Sequence, residues 1–140
     1  MHAHCWLKLL VSLAAAAVHA EPLVARCPTV GETVAGDVMV YAGTAGGVVA
    51  AVAAARMANT SHSPGHFRVV IVNPTGHLGG MVASGLGMTD GHPSGGIAQE
   101  FFDRVGGMRF SPSMAEKVFD GWVANESLVV IHNCYAVKVQ

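Results

Sequence analysis

Continuous apolar segments and glycine clusters alternate between residues 37 and 80. Residues 38–41 are apolar without alternation, which is typical of a strand buried on both faces of a parallel sheet. A glycine cluster at residues 43–47 follows, and small apolar residues then recur at helical spacing up to Ala55. A second apolar run covers residues 69–72, and the predicted strand begins at Arg68. This order of strand, turn, helix and strand predicts a βαβ unit of an α/β protein.

The flanking segments predict additional elements around this unit. Apolar positions recur at helical spacing in residues 96–107 and again in residues 111–123, so each segment is predicted to be a helix. Residues 128–131 and 135–139 predict two further strands, or one strand that is interrupted between them. Residues 21–36 contain prolines and glycines without sustained periodicity, and we interpret them as a lead-in segment.

The segment from Val38 to Ala55 also has the features of a membrane-spanning helix. It contains eighteen residues without a charge, and Gly43 and Gly47 form a Gly-x-x-x-Gly pair. However, valine and tyrosine precede the glycines and alanine follows them, so the propensity changes from strand to helix at the cluster. The βαβ interpretation is therefore favoured, and the membrane span remains an alternative.

Length and charge limit the classes of protein that this chain can represent. Its 140 residues suit one small domain. Eight Lys and Arg residues nearly balance nine Asp and Glu residues, so no basic surface for nucleic acid is expected. The oligomeric state is not indicated.

The first twenty residues have the pattern of a secretory signal peptide. Lys8 precedes an apolar core at residues 9–18, and small residues at Val18 and Ala20 predict cleavage after Ala20. An uncleaved anchor is the alternative, although the run is shorter than the roughly 20 residues that span a bilayer. We expect a protein that is secreted or resides in the ER lumen.

Secretion changes the interpretation of the cysteines and asparagines. Cleavage removes Cys5 and leaves Cys27 and Cys134, which permits one disulfide in an oxidising compartment. Asn59 and Asn125 lie in tripeptides that fit the glycosylation acceptor pattern. Neither modification follows from the sequence alone.

Few residues suggest acid, base, nucleophilic or metal chemistry. Histidine is the side chain most often used as an acid or base near neutral pH, and His77 and His92 lie in predicted loops, but no catalytic residue is assigned. The cysteines and histidines do not have metal-ligand spacing, so no metal site is predicted. The Gly-x-Ser-x-Gly pattern of a nucleophile elbow is absent from the sequence.

The turn after the first predicted strand has the composition of a phosphate-binding loop. Glycines in such a turn let the backbone pass tightly and expose N–H groups at a helix N-terminus. Aligned to Gly-x-Gly-x-x-Gly, residues 42–47 read Ala-Gly-Thr-Ala-Gly-Gly, and only Gly47 matches a required glycine. The turn alone is therefore a weak indication of a dinucleotide.

A second segment is more specific. After the second predicted strand the chain reads Asn73-Pro-Thr-Gly-His-Leu-Gly-Gly-Met81, and then Ser84-Gly-Leu-Gly87. This segment resembles a family of FAD-dependent oxidoreductases in the glutathione reductase-like superfamily, in which the strand ends in Glu-Pro-Thr-Gly-His-Leu-Gly-Gly-Met. The resemblance extends over about residues 37–135. Its glycine density also suggests that residues 73–96 build little core and lie close to a ligand.

The resemblance implies a Rossmann-like βαβ FAD-binding unit with additional helices, in an incomplete three-layer domain at residues 37–140. The turn would wrap the FAD pyrophosphate, and position 73 would face the adenosine ribose. Gly79 and Gly80 would approach the phosphates, and His77 and residues 81–90 would lie near the flavin. The implied cofactor-binding residues are Ala42, Gly43, Thr44, Ala45, Gly46, Gly47, Asn73, His77, Gly79, Gly80 and Met81. Two of them depart from the family pattern: Ala42 replaces the first glycine, and Asn73 replaces the acidic residue.

Family members continue for several hundred residues and include a substrate domain. We therefore expect this chain to be an N-terminal part of an enzyme for flavin-mediated oxidation or dehydrogenation of an unknown small molecule, without activity on its own. A truncated, non-catalytic product that retains the nucleotide-binding motif is the alternative.

Overall fold

The computed structural model describes residues 23–29, 31–61, 67–91 and 95–136. The predicted signal peptide, His92 and residues 137–140 lie outside these ranges. The elements are β1 (Leu23–Ala25), β2 (Val38–Tyr41), α1 (Ala45–Ser61), β3 (Val69–Val72), a 3-10 turn (Gly80–Val82), α2 (Gly96–Val105), α3 (Pro112–Asn125) and β4 (Val129–Ile131).

The described strands form one parallel sheet in the order β1-β4-β3-β2. Val70 lies opposite Met39 of β2 on one side and opposite Val129 of β4 on the other, so β3 lies between β2 and β4 in the sheet. Helix α1 connects β2 to the adjacent parallel strand β3, which confirms the predicted βαβ unit. The fold is an incomplete Rossmann-like α/β unit, as the sequence predicts.

The main core lies between one face of the sheet and the helices. The fully buried residues Val48 and Val52 place α1 against the strands. Phe101 of α2 stacks on Phe119 of α3 with ring centroids 5.0 Å apart, and Trp122 packs against both rings. Leu78 is also buried in this core, so the glycine-dense segment contributes more to packing than its composition predicts.

The opposite face of the sheet is only partly covered. Met39 and Tyr41 of β2 are 53% and 51% exposed. The prediction that this strand is buried on both faces is therefore wrong, because β2 lies at the edge of the sheet and its alternate side chains face away from the helices. The β2 side chains Val38 and Val40 pack against the main core instead.

The segment at residues 21–36 contains a strand that its sequence does not predict. Strand β1 pairs with β4 in parallel, with Leu23 opposite Val129. Shortly after these strands, Cys27 and Cys134 form a disulfide that joins positions 107 residues apart in the chain. A crosslink over such a distance stabilises a fold mainly by restricting the unfolded chain.

The structure contradicts the membrane-spanning alternative for residues 38–55. This segment contains strand β2, a turn and the first part of α1 rather than one helix. In the part of the chain that the structure describes, every helix is too short or too polar to cross a bilayer. Tyr135 and Ala136 have no strand structure, so the strand predicted at residues 135–139 is not found in its described part.

Candidate functional site

The turn at residues 42–47 connects the carboxyl end of β2 to the start of α1. The Ala42 N–H donates to the carbonyl of Val72, 2.8 Å away, and so holds the turn against the end of β3. Thr44 caps the helix, since its hydroxyl accepts from the Gly47 N–H at 3.2 Å and its carbonyl accepts from Val48. The first helical turn thus directs its N–H groups towards the carboxyl edge of the sheet.

Two glycines in this turn are required by close packing. A Cβ atom at Gly47 would lie 2.1 Å from the carbonyl oxygen of Ala42, and one at Gly43 would lie 2.6 Å from the Leu78 side chain. Gly46, in contrast, is exposed and would have no neighbour within 4 Å. The turn therefore needs glycine at positions 43 and 47, while a side chain at position 46 would enter open space.

Ala42 adopts a backbone conformation that favours glycine. Its φ angle is 83°, in the left-handed region where a Cβ atom is disfavoured. The expected glycine at this position thus has a structural reason: the chain must turn sharply between β2 and the helix. The methyl group is tolerated here at the expense of local backbone strain.

Asn73 is the hydrogen-bonding centre of the site. Its side-chain oxygen accepts from the Gly43 N–H at 3.1 Å, and its amide nitrogen donates to the carbonyls of Thr75 and His77 at 2.9 and 2.8 Å. The His132 ring nitrogen Nδ1 lies 3.3 Å from the same amide nitrogen. The side chain therefore connects the turn, the loop after β3 and the segment after β4.

This environment differs from the expected one, in which position 73 faces a ribose. Asn73 is only 2% exposed, and both polar atoms of its side chain are engaged with protein groups. A ribose contact would require some of these bonds to break. These bonds also explain why position 73 carries an amide and not a carboxylate, because a carboxylate has no N–H with which to donate to two carbonyls.

The second glycine pair packs directly on the turn. The Gly79 N–H donates to the Gly43 carbonyl at 2.7 Å, and a Cβ atom at Gly79 would lie 2.5 Å from the Phe119 ring. A Cβ atom at Gly80 would lie 3.3 Å from the Cα of Thr44. The structure thus brings together two glycine clusters that are more than thirty residues apart in the sequence.

His77 and Met81 lie at the exposed side of this junction. His77 Nδ1 is 2.7 Å from a Glu116 carboxylate oxygen, which links the loop to α3. Met81 is 76% exposed.

Desolvation raises the pKa of the nearby Asp120, as does the Glu116 charge, whereas His132 and His77 lower it. Among the described residues, no group of three His, Cys, Asp or Glu side chains is arranged to bind a metal.

An apolar cavity of about 300 Å³ adjoins the start of α1. It is lined by Ala45, Gly46, Val49, Val82, Thr89, Ala98, Phe101, Phe102 and Phe119. None of these described side chains is ionisable, so they can contact an apolar group but supply no acid or base. Sequence reasoning missed it, because periodicity assigns the phenylalanines to the core without showing that space remains beside them.

A family model described as FAD dependent oxidoreductase matches residues 37–140. No curated protein and no solved structure matches the chain significantly. The matched region includes the turn, Asn73, the second glycine pair and helices α1, α2 and α3.

Proposed function

The chain belongs to the FAD-dependent oxidoreductase family, and we propose that its turn at residues 42–47 binds the pyrophosphate of FAD. The single observation that carries this proposal is the open space around Gly46, where an added Cβ atom would have no neighbour within 4 Å, in the first turn of a helix of seventeen residues. A helix N-terminus offers N–H donors and a partial positive charge, which together favour a phosphate.

The residues of this site fit the phosphate part of the cofactor. The required glycines Gly43 and Gly47 keep side chains out of the turn, and Gly79 and Gly80 keep the neighbouring loop close to it. The ribose part fits less well, because the Asn73 side chain is occupied by protein groups. We infer that the turn and its helix contribute more to FAD binding than position 73 does.

We propose flavin-mediated oxidation or dehydrogenation of a small molecule as the reaction class. The bound flavin would supply the electron-accepting chemistry, and the protein would position it. The apolar cavity beside Ala45 and Gly46 supports this class, since its described lining offers an apolar surface for part of the cofactor or substrate. His77 and Met81, which are exposed beside the second glycine pair, are the candidates for contact with the cofactor or substrate.

A non-catalytic FAD-binding module is the second candidate. The observation that favours it is that none of the described residues lining the cavity has an ionisable side chain. Reduction of bound FAD by candidate small-molecule donors distinguishes the two: bleaching of the flavin absorbance supports the enzyme, and bound flavin that no donor reduces supports the module.

The pyrophosphate assignment is tested by comparing Gly46→Asp with Gly46→Asn. Both side chains enter open space, so neither should disturb the fold, and an acidic residue near a helix N-terminus should even favour the helix. We expect FAD affinity to fall about tenfold further for Gly46→Asp than for Gly46→Asn, because only the former places a negative charge near the phosphates. Equal FAD affinities for the two variants would contradict the assignment.

We also propose that the protein is secreted or resides in the ER lumen. The signal-like pattern of residues 1–20 supports this, and the Cys27–Cys134 disulfide is typical of an oxidising compartment. The expected mature N-terminus is Glu21, and N-terminal sequencing of protein from the culture medium tests it. Recovery of uncleaved protein in the reducing cytosol alone would contradict the proposal.

A further inference from the structure

The disulfide lies at the same edge of the sheet as the candidate FAD site. Cys27 follows β1 by two residues and Cys134 follows β4 by three. Because all four described strands are parallel, their carboxyl ends share one edge, and the turn at residues 42–47 leaves β2 at that edge. The crosslink is therefore on the functional side of the fold.

A short series of hydrogen bonds connects the disulfide to the turn. The Cys134 N–H donates to the Asn73 carbonyl at 3.0 Å, and the Asn73 N–H donates to the Ile131 carbonyl at 2.8 Å. The side-chain oxygen of Asn73 then accepts from the Gly43 N–H in the turn. The residues after β4 are thus held between the disulfide on one side and the Asn73 centre on the other.

We propose that the Cys27–Cys134 disulfide is a redox control on the binding of FAD at residues 42–47. The inference rests on the proposed function, because it assigns a regulation to the same site. The oxidised form holds the segment after β4 against Asn73, and so keeps the Gly43 N–H and the turn in place. The reduced form releases that segment.

A dithiol reductant, either a small molecule or a protein, supplies the two electrons. Its thiolate attacks the sulfur of Cys27, which is exposed, whereas Cys134 is only 7% exposed. The bond between the two protein sulfurs breaks, Cys134 leaves as a thiolate that takes up a proton, and a mixed disulfide forms on Cys27. The second thiol of the reductant then displaces Cys27 as a free thiol and leaves as part of the oxidised reductant.

Reduction weakens the attachment of two segments at once. Strand β1 contributes three paired positions to the sheet, so without the crosslink it is held to β4 by a short ladder. The residues after β4 then depend on two backbone bonds, from the Cys134 N–H to the Asn73 carbonyl and from the Asn133 N–H to the Thr75 carbonyl, and on the contacts of the His132 ring with Asn73 and Thr75. Local opening of this segment removes support from Asn73 while the helical core remains folded.

Amide hydrogen exchange in the absence of nucleotide tests directly whether the disulfide stabilises the turn. Oxidised and reduced full-length protein are compared, with differential alkylation confirming the state of Cys27 and Cys134. We expect the Gly43 and Cys134 amides to exchange about tenfold faster after reduction, while the Trp122 amide in α3 is unchanged. Cys27→Ser should exchange at the reduced rate under both conditions. Equal exchange in the two states, or equal acceleration at Trp122, would overturn the proposal.

Titration with FAD completes the test. We expect the affinity of the reduced protein to be about fivefold lower than that of the oxidised protein, and Cys27→Ser to show no redox response. Faster Gly43 exchange with unchanged FAD affinity would overturn the control of binding. Absence of FAD binding in both states would overturn the proposed function, and the exchange result would show independently whether the disulfide still controls the turn.

Discussion

The side-chain oxygen of Asn73 accepts a buried hydrogen bond from the Gly43 N–H at 3.1 Å. This bond joins the residue that follows β3 to the turn that follows β2, and so fixes the relative positions of two neighbouring strand ends. The nitrogen of the Asn73 side-chain amide donates to the Thr75 and His77 carbonyls. One side chain thereby shapes both segments that we assign to FAD.

Asn73→Asp should lower the free energy of unfolding although it restores the acidic character of the family pattern. The introduced carboxylate loses the N–H groups that now bind Thr75 and His77, and its oxygen faces two carbonyl oxygens. Loss of bonds in a buried site predicts a decrease of about 2–3 kcal/mol, measured by urea denaturation at neutral pH. Asn133→Asp, an exposed position on a neighbouring segment, is the control. Stability equal to that of the unmodified protein would show that Asn73 does not organise the site.

Ala42→Gly should make the protein more stable. The φ angle of 83° strains an alanine, and glycine relieves this strain despite its greater freedom in the unfolded chain. We expect a gain of about 1 kcal/mol, observed as a higher midpoint in thermal unfolding. Ala45→Gly, in the first turn of α1, should instead lose up to about 1 kcal/mol. A loss of stability in both variants would contradict the strain at position 42.

Gly47→Ala and Gly46→Ala are adjacent changes with opposite expected effects. The methyl group at position 47 would lie 2.1 Å from the backbone oxygen of Ala42, so the turn must shift and about 3 kcal/mol should be lost. At position 46 the methyl group has no neighbour within 4 Å, and the better helix propensity of alanine should add about 0.5–1 kcal/mol. Chemical denaturation of the two variants side by side checks the contrast. Similar stabilities would mean that the turn is looser than the structure indicates.

The local elements of this fold were predictable, because each depends on a short run of residues. Strands β2 and β3 follow from apolar runs and α1 from small residues at helical spacing, and the requirement for Gly47 follows from the phosphate-binding pattern. These features do not depend on distant partners, so sequence patterns contain the necessary information.

The features that depend on distant pairing were not predictable. Strand β1 has three residues and exists through its pairing with β4, more than one hundred positions later. The exposure of Met39 and Tyr41 follows from the position of β2 at the sheet edge, which its apolar sequence does not encode. Likewise, the burial of Asn73 requires partners from three separate segments.

The ion-pair network around Glu100 should make stability depend on acid pH. The Glu100 carboxylate accepts from Arg56 of α1 at 2.7 Å, from Arg104 of its own helix and from the Trp122 ring nitrogen of α3. Chiefly because of the Arg56 bond, the pKa of Glu100 falls from 4.5 to about 2. A carboxyl with a lowered pKa contributes stability that is fully present above pH 4.5 and is lost as the pH falls through about 2.

Glu100→Gln tests this contribution. We expect the variant to lose about 1–3 kcal/mol at neutral pH, since three helices lose bonds to a charged acceptor. Between pH 4.5 and pH 2 its stability should fall less steeply than that of the unmodified protein, because the titrating group is gone. Asp103→Asn, exposed on the same helix, controls for the loss of one negative charge. Denaturation curves at several pH values provide the measurement, and parallel pH profiles for Glu100→Gln and the unmodified protein would contradict the assigned role of Glu100.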